Sequence, residues 1–218
     1  MREMTAREVS TAWFSLAMSA GTLICLACLH ILSPEFDPAW RVVSEYAMGG
    51  YAWMLSLMFL TWALGSWALA FAIHSQVRTV GGRIGLGLLA LAGTGEALAA
   101  AFDISWPILH GVAGLLGVPP LPVAAVLISI NLGRLPTWAS ARRGLLWTAH
   151  LTWMSLLLLL AAIATLTTSI GGMRVPIGWP NRFLVATYVI WAMNIAWQAI
   201  RLRGKGLRPA GPRPSAGV

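Results

Sequence analysis

The residues able to do chemistry crowd into one stretch. From Ser33 to Gly50 the chain reads SPEFDPAWRVVSEYAMGG. It holds three carboxylates (Glu35, Asp37, Glu45), a guanidinium (Arg41), two hydroxyls (Ser33, Ser44) and a phenol (Tyr46), with His30 just ahead of it. A second group, Asp103 and His110, flanks a short segment containing Trp106 and Pro107. A carboxylate and an imidazole at that spacing can share a proton or a metal. Asp103 with His110 is the best candidate acid–base pair, with Glu45 as a third candidate catalytic group and Ser44 as a candidate nucleophile. His30, His110 and the carboxylates could make up a zinc ligand set. Zinc sites readable from sequence are tightly spaced, though, and these ligands are dispersed. No metal is assigned and the cofactor is left unknown. The bland alternative is that the same residues cap helix ends and bind water.

Glu96 stands apart, about 18 Å past Ile84 at helical rise. A carboxylate inside an apolar span costs roughly 2.5–3.5 kcal/mol or more unless it is paired, hydrated or protonated. Glu96 and Asp103 share a helix face, which draws a polar line from the middle of the span to its end. Asn194 lies at similar depth on the last span and is a candidate partner of Glu96. Either this is a proton or ligand path or it is a polar contact between helices. Cys25-Leu26-Ala27-Cys28 is a C-x-x-C inside an apolar helix, where a thiolate is disfavoured; it reads as two small apolar side chains. His74 and His150, paired with His30 and His110 at opposite ends, would suit two haems, but lone histidines of this kind more often hydrogen-bond at interfaces.

The elements that position these groups follow from composition. Of 218 residues, 58% are hydrophobic and only 10% charged, with 12 Trp, and the mean hydropathy is +0.74. A soluble domain carries about 25% charged residues; a disordered, collagenous or ordinary soluble chain is excluded. Six apolar runs, Thr11–Leu32, Tyr51–Ile73, Ile84–Phe102, Gly111–Leu132, Leu145–Ile170 and Phe183–Ile200, are each long enough to cross about 30 Å of hydrocarbon. The fold class is therefore all-α, a polytopic integral membrane protein built as a six-helix bundle. The first run starts among Glu3 and Glu8, lacks a small-residue cleavage site and reads as a retained helix.

The net charge of +8 is a topology signal and not a nucleic-acid footprint. Arg2, Arg7, Arg78, Arg83, Arg134, Arg142, Arg143, Arg201, Arg203, Lys205, Arg208 and Arg213 fall on one side; Arg41, Arg174 and Arg182 fall on the other. Twelve against three puts both termini in the cytoplasm and His30, Glu35, Asp37, Glu45, Asp103 and His110 outside. Residues 204–218, rich in Gly, Pro, Arg and Ser, read as a basic disordered tail.

Between Asp37-Pro38, a good N-cap and N1 pair, and the terminators Gly49-Gly50 a short helix fits. It would put Trp40, Val43 and Ala47 on one face and Arg41 and Glu45 on another, either lying on the membrane or covering the bundle. Small residues along the third run (Gly85, Gly87, Gly93, Gly95) let helices approach closely and place it near the bundle centre. Val118-Pro119-Pro120-Leu121-Pro122 must break the fourth run, and the carbonyls it frees must face protein or water.

HILSPEFDPAWRVVSEYAMGGYAWML at 30–55, AAAFD at 99–103 and HGVAGLLG at 110–117 resemble the domain-of-unknown-function 998 family of bacterial and archaeal multi-pass membrane proteins. The resemblance implies six membrane helices, a prokaryotic cytoplasmic (inner) membrane and no settled activity. The Ser44-Glu45 segment is also similar to Frag1/DRAM-type lipid-associated membrane proteins, which implies lipid handling.

The leading expectation is an outward-opening pocket formed by helices one, three, four and six and the first loop. It would bind or modify a lipid or lipid-like small molecule, in contact with the bilayer. Glu45, Tyr46, Asp103 and His110 would meet the headgroup, with His30, Glu35, Asp37, Ser44 and Trp106 around it, and Arg41 or Arg182 would hold a phosphate. The alternatives are a proton-coupled transporter using Glu96 and the kinked fourth helix, and a non-catalytic scaffold or sensor. Whether the chain is an enzyme stays open.

Overall fold

A computed structural model describes residues 4–168 and 175–206. Those residues form helices α1 (Ala6–Leu32), α2 (Ala52–Ile73), α3 (Val80–Ala101), α4 (Pro107–Gly117), α5 (Pro120–Gly133), α6 (Arg142–Thr168) and α7 (Gly178–Gly206). Two 3-10 helices, Val43–Met48 (the cap helix) and Pro136–Ala141, complete the set. Among the described residues there are six helical spans long and apolar enough to cross a membrane, with α4 and α5 together making the fourth.

The helix starts follow local chemistry. Thr5 and Glu8 form a reciprocal capping box on α1, Glu8 N–H donating to Thr5 Oγ1 at 3.2 Å and Thr5 N–H donating to Glu8 Oε2 at 2.7 Å. Thr79 caps α3 by accepting from Gly82 N–H, while Pro107 and Pro120 occupy the first turns of α4 and α5, where a missing N–H costs nothing. α7 runs to Gly206, three residues into the stretch expected to be tail. The rest of that stretch, 207–218, lies outside the described residues, as do Ile170 of the fifth run and Arg174.

The spans pack in sequence order around a ring, α1 on α2, α2 on α3, α3 on α4 and α5, α5 on α6, α6 on α7 and α7 back on α1, while α2 also touches α7 across the middle. Exposed Trp40, Trp53, Trp106 and Trp179 mark the cap-helix end, and exposed Trp13, Trp147 and Trp197 lie toward the other. Such paired aromatic belts suit a bilayer-spanning bundle.

The small residues of α3 do what their size allows. A Cβ on Gly95 would run into the backbone N of Gly117 and come within 2.6 Å of the Ala113 carbonyl oxygen, so α3 and α4 cross in near backbone contact. The break in the fourth span falls at Val118. Pro122 has no N–H to give the Val118 carbonyl, and Tyr188 of α7 donates its hydroxyl there at 3.0 Å instead.

Candidate functional site

The site is assembled by α7 gripping the first loop. The loop does not form the continuous helix that its capping signals suggest. Asp37 Oδ1 accepts from Ala39 N–H at 2.8 Å and closes a turn, and the helix begins only at Val43, as a 3-10 helix. The reason is competition for backbone groups. A helix through this stretch would need the Ala39 and Arg41 carbonyls and the Val43 N–H. Gly178 N–H donates to Ala39 O at 2.8 Å, Arg182 donates to Arg41 O at 2.6 Å, and Val43 N–H donates to Asn181 Oδ1 at 2.8 Å. Glu45 reaches back to Val42 N–H at 2.8 Å and pairs with Arg41 at 2.9 Å.

Arg182 is the centre of this grip. It is 5% exposed, and its guanidinium donates to His30 Nε2 (2.6 Å), Arg41 O (2.6 Å), Gly178 O (3.2 Å) and Tyr46 Oη (2.9 Å). It also lies over the Tyr46 ring, 5.5 Å from its centroid. Tyr46 is fully buried, edge-on to both Phe36 and His30. All of Arg182's acceptors are neutral, so its charge is spread into the loop and is not presented at a mouth.

With the loop held this way, the cap helix covers a cavity with about 90 Å³ of free space, room for several waters or part of a chain. Its walls come from α2 (Phe59, Trp62), α3 (Glu96, Ala99), α4 (His110, Gly114) and α7 (Asn181, Leu184). The cavity differs from the expected pocket: α2 lines it where α1 was expected, and of the expected contact residues only Ser44 and His110 are on its wall. Among the described residues, no Lys or Arg lines it.

Four polar side chains among the described residues line this space: Ser44, His110, Asn181 and Glu96. Ser44 Oγ and His110 Nε2 lie 3.0 Å apart, and His110 Nδ1 lies 2.9 Å from the Phe102 carbonyl oxygen. Deeper in, Glu96 is 4% exposed; Ser66 Oγ donates to its Oε2 at 2.9 Å, and its Oε1 has no hydrogen-bond partner.

The remaining candidates fall elsewhere. Asp103 and His110 share neither a hydrogen bond nor an ion pair: Asp103 accepts from the Ser105 hydroxyl and N–H. Those two bonds, the hydroxyl's first, hold its carboxyl below the ordinary aspartate range, with nearby His110 adding a smaller pull. Asn194 donates to Thr148 on α6 at 3.2 Å, so Glu96's partner is Ser66 and not Asn194. Glu35, Asp37 and Trp106 are exposed. Among the described residues no three His, Cys, Asp or Glu side chains converge as a metal set. His30 is occupied on both ring nitrogens, by Arg182 and by the Leu26 carbonyl at 2.6 Å.

The family described as Protein of unknown function (DUF998) matches residues 16–198, from within α1 to within α7. The chain belongs to this family. No curated protein and no solved structure matches it. The DUF998 match takes in the cap helix, the α3–α4 crossing and the whole cavity.

Asn181, Ser66, Gly178 and Tyr188 are the site-building residues that motif reading passed over. Tyr188 had a findable counterpart, since a proline four residues after Val118 announces a carbonyl in need of a donor. Asn181 and Gly178 carry no such signal, because their role depends on where the first loop lies in space.

Proposed function

We propose that this DUF998 protein is an integral protein of a prokaryotic cytoplasmic membrane, with both termini inside and the cap helix outside. In this reading it binds a lipid or lipid-like amphiphile beneath that helix. The orientation is supported by the twelve-to-three division of Lys and Arg. The observation that carries the binding reading is the cavity's division of labour. It is walled by Phe59, Trp62, Ala99, Leu184 and Val185, with Ser44, His110 and Asn181 grouped at the cap helix and an unpartnered Glu96 oxygen on its wall. Ligand pockets combine a mostly apolar wall with a few convergent polar groups in this way. Among the described residues no Lys or Arg lines the wall, which favours a neutral or cationic polar group over a phosphate.

The test is native mass spectrometry of gently purified protein against Gly114→Leu. Gly114 lines the cavity and has open space where a Cβ would go, so the leucine fills the space without distorting α4. A retained amphiphile in the wild type that is missing from an equally stable Gly114→Leu supports the reading. No amphiphile in either sinks it.

A second reading rests on Glu96. A buried carboxyl with a free oxygen on a cavity wall, beside a broken helix, is also what proton-coupled transport of a small molecule needs. In that case Glu96→Gln abolishes flux driven by a proton gradient in proteoliposomes while leaving the fold intact.

A further inference from the structure

The hydrogen bonds of His110 fix its proton. A carbonyl oxygen only accepts, so the bond to Phe102 O puts the ring proton on Nδ1. Nε2 then offers a lone pair, and the Ser44 hydroxyl, 3.0 Å away, is its donor. A hydroxyl on a base whose tautomer is set by a third group is the arrangement that turns serine into a nucleophile. The two residues come from different elements, the cap helix and α4, and they meet on the wall of the apolar cavity. Asn181 lines the same space, and its orientation is fixed as well: its Oδ1 is taken by the Val43 N–H, leaving its NH2 group to donate. Arg41, Glu45, Asp103 and Arg182 are all committed to other partners. The Ser44–His110 pair is therefore the reactive constellation that the loop architecture leaves available.

We propose that Ser44 and His110 form an ester-cleaving site for a long-chain acyl ester whose chain occupies the cavity. This rests on the amphiphile reading above and names its substrate class. Ser44 Oγ bonds to the ester carbonyl carbon and its proton passes to His110 Nε2. The carbonyl oxygen, now negative, accepts from Asn181 Nδ2. The carbon–oxygen bond to the alcohol breaks, and His110 returns the proton to the departing alkoxide. Water then adds to the acyl-Ser44 carbonyl, giving its proton to His110. The carboxylic acid leaves and Ser44 regains its hydrogen. Carboxylic esters fit better than phosphate esters, since no Lys or Arg among the described residues lines the cavity to meet a phosphate's charge.

The test uses the full chain in lipid nanodiscs, treated with a long-chain alkyl fluorophosphonate and read by peptide mass spectrometry. The expected result is one adduct, on Ser44, absent in Ser44→Ala and formed about a hundredfold or more slowly in His110→Gln. A long-chain p-nitrophenyl ester should be hydrolysed in the same order, wild type far above both variants. Thermal melts of both variants show whether they are folded; if His110→Gln is not, His110→Asn replaces it. No Ser44 adduct on the wild type, or equal labelling with His110 replaced, overturns the proposal. The amphiphile reading is scored separately: a native mass spectrum with retained amphiphile but no adduct removes the chemistry and leaves binding standing, whereas neither amphiphile nor adduct removes both.

Discussion

Arg182 Nε donates to His30 Nε2 across 2.6 Å, which makes His30 an acceptor at that nitrogen and a donor through Nδ1 to the Leu26 carbonyl. One bond thereby ties the end of α1 to the start of α7, and the same guanidinium continues to Arg41 O and Tyr46 Oη. The loop that bears Ser44 is held from inside by a cation that, among the described residues, has no carboxylate paired with it.

Replacing Arg182 therefore tests how the site is built. Arg182→Met removes every one of those donors and leaves buried acceptors unmatched, at about 1–3 kcal/mol each. The melting temperature should fall by about 5 °C or more for a chain of this size. Arg182→Lys should recover only part of this, because a compact ammonium with three N–H groups cannot match the planar fork that reaches four acceptors. An unchanged melt in the methionine variant would show that the network does not hold the loop.

Gly178 is the second fixing point. A Cβ there would come within 2.7 Å of Arg41 O and 2.8 Å of Ala39 O, and closer still to Pro38 O. Three backbone oxygens cannot all yield, so Gly178→Ala should push the loop off α7 and cost about 1–3 kcal/mol. Hydrogen exchange is the direct reading. Amides across 39–46 should exchange faster in the variant while those of α2 and α5 keep their protection. Uniform acceleration throughout would mean global destabilisation and not a detached loop.

Most of the fold was legible in the sequence, because apolar runs of membrane-spanning length are statements about single helices. The need for close packing at Gly95 was legible too, since small residues in a span announce a neighbour. The pairings at the site were not. Asp103 and His110 sit in the right order and spacing to be read as a couple, yet Ser105, two residues on, captures the carboxylate locally, and His110 turns to a serine far away in the chain. The first loop carries good helix signals, and the carbonyls they would use are taken by α7. For His110 and for the loop carbonyls a long-range partner takes a group that local reasoning assigns to a neighbour, and only packing decides the winner.

The α3–α4 crossing gives a third prediction. Gly95→Ala should displace α4, because the atoms in the way are backbone atoms of Ala113 and Gly117. Since His110 rides on α4 and Ser44 does not, the displacement should separate the pair. Loss of Ser44 labelling by the fluorophosphonate, with a melt lowered by only a few degrees, is the expected combination. Full labelling would show that α4 can retreat without moving His110, and that the crossing does not set the site.

Acid should reach the turn after α3 only below the ordinary aspartate range. Asp103 is held below the ordinary aspartate value of 3.8, chiefly by the Ser105 hydroxyl and then by the Ser105 N–H. A carboxyl whose folded value is depressed stabilises the turn in full above its unfolded value, and that contribution is lost as pH falls through the lower, folded one. From neutral pH down to about 4 the turn should be unchanged. Below 3.8 the Ser105 amide should shift and exchange faster, in step with protonation of Asp103. Because the carboxyl is largely hydrated, the change should stay local, with no loss of helix content. Following the Ser105 amide resonance through the titration checks this, and a midpoint at or above 3.8 would mean that Ser105 does not hold the carboxylate.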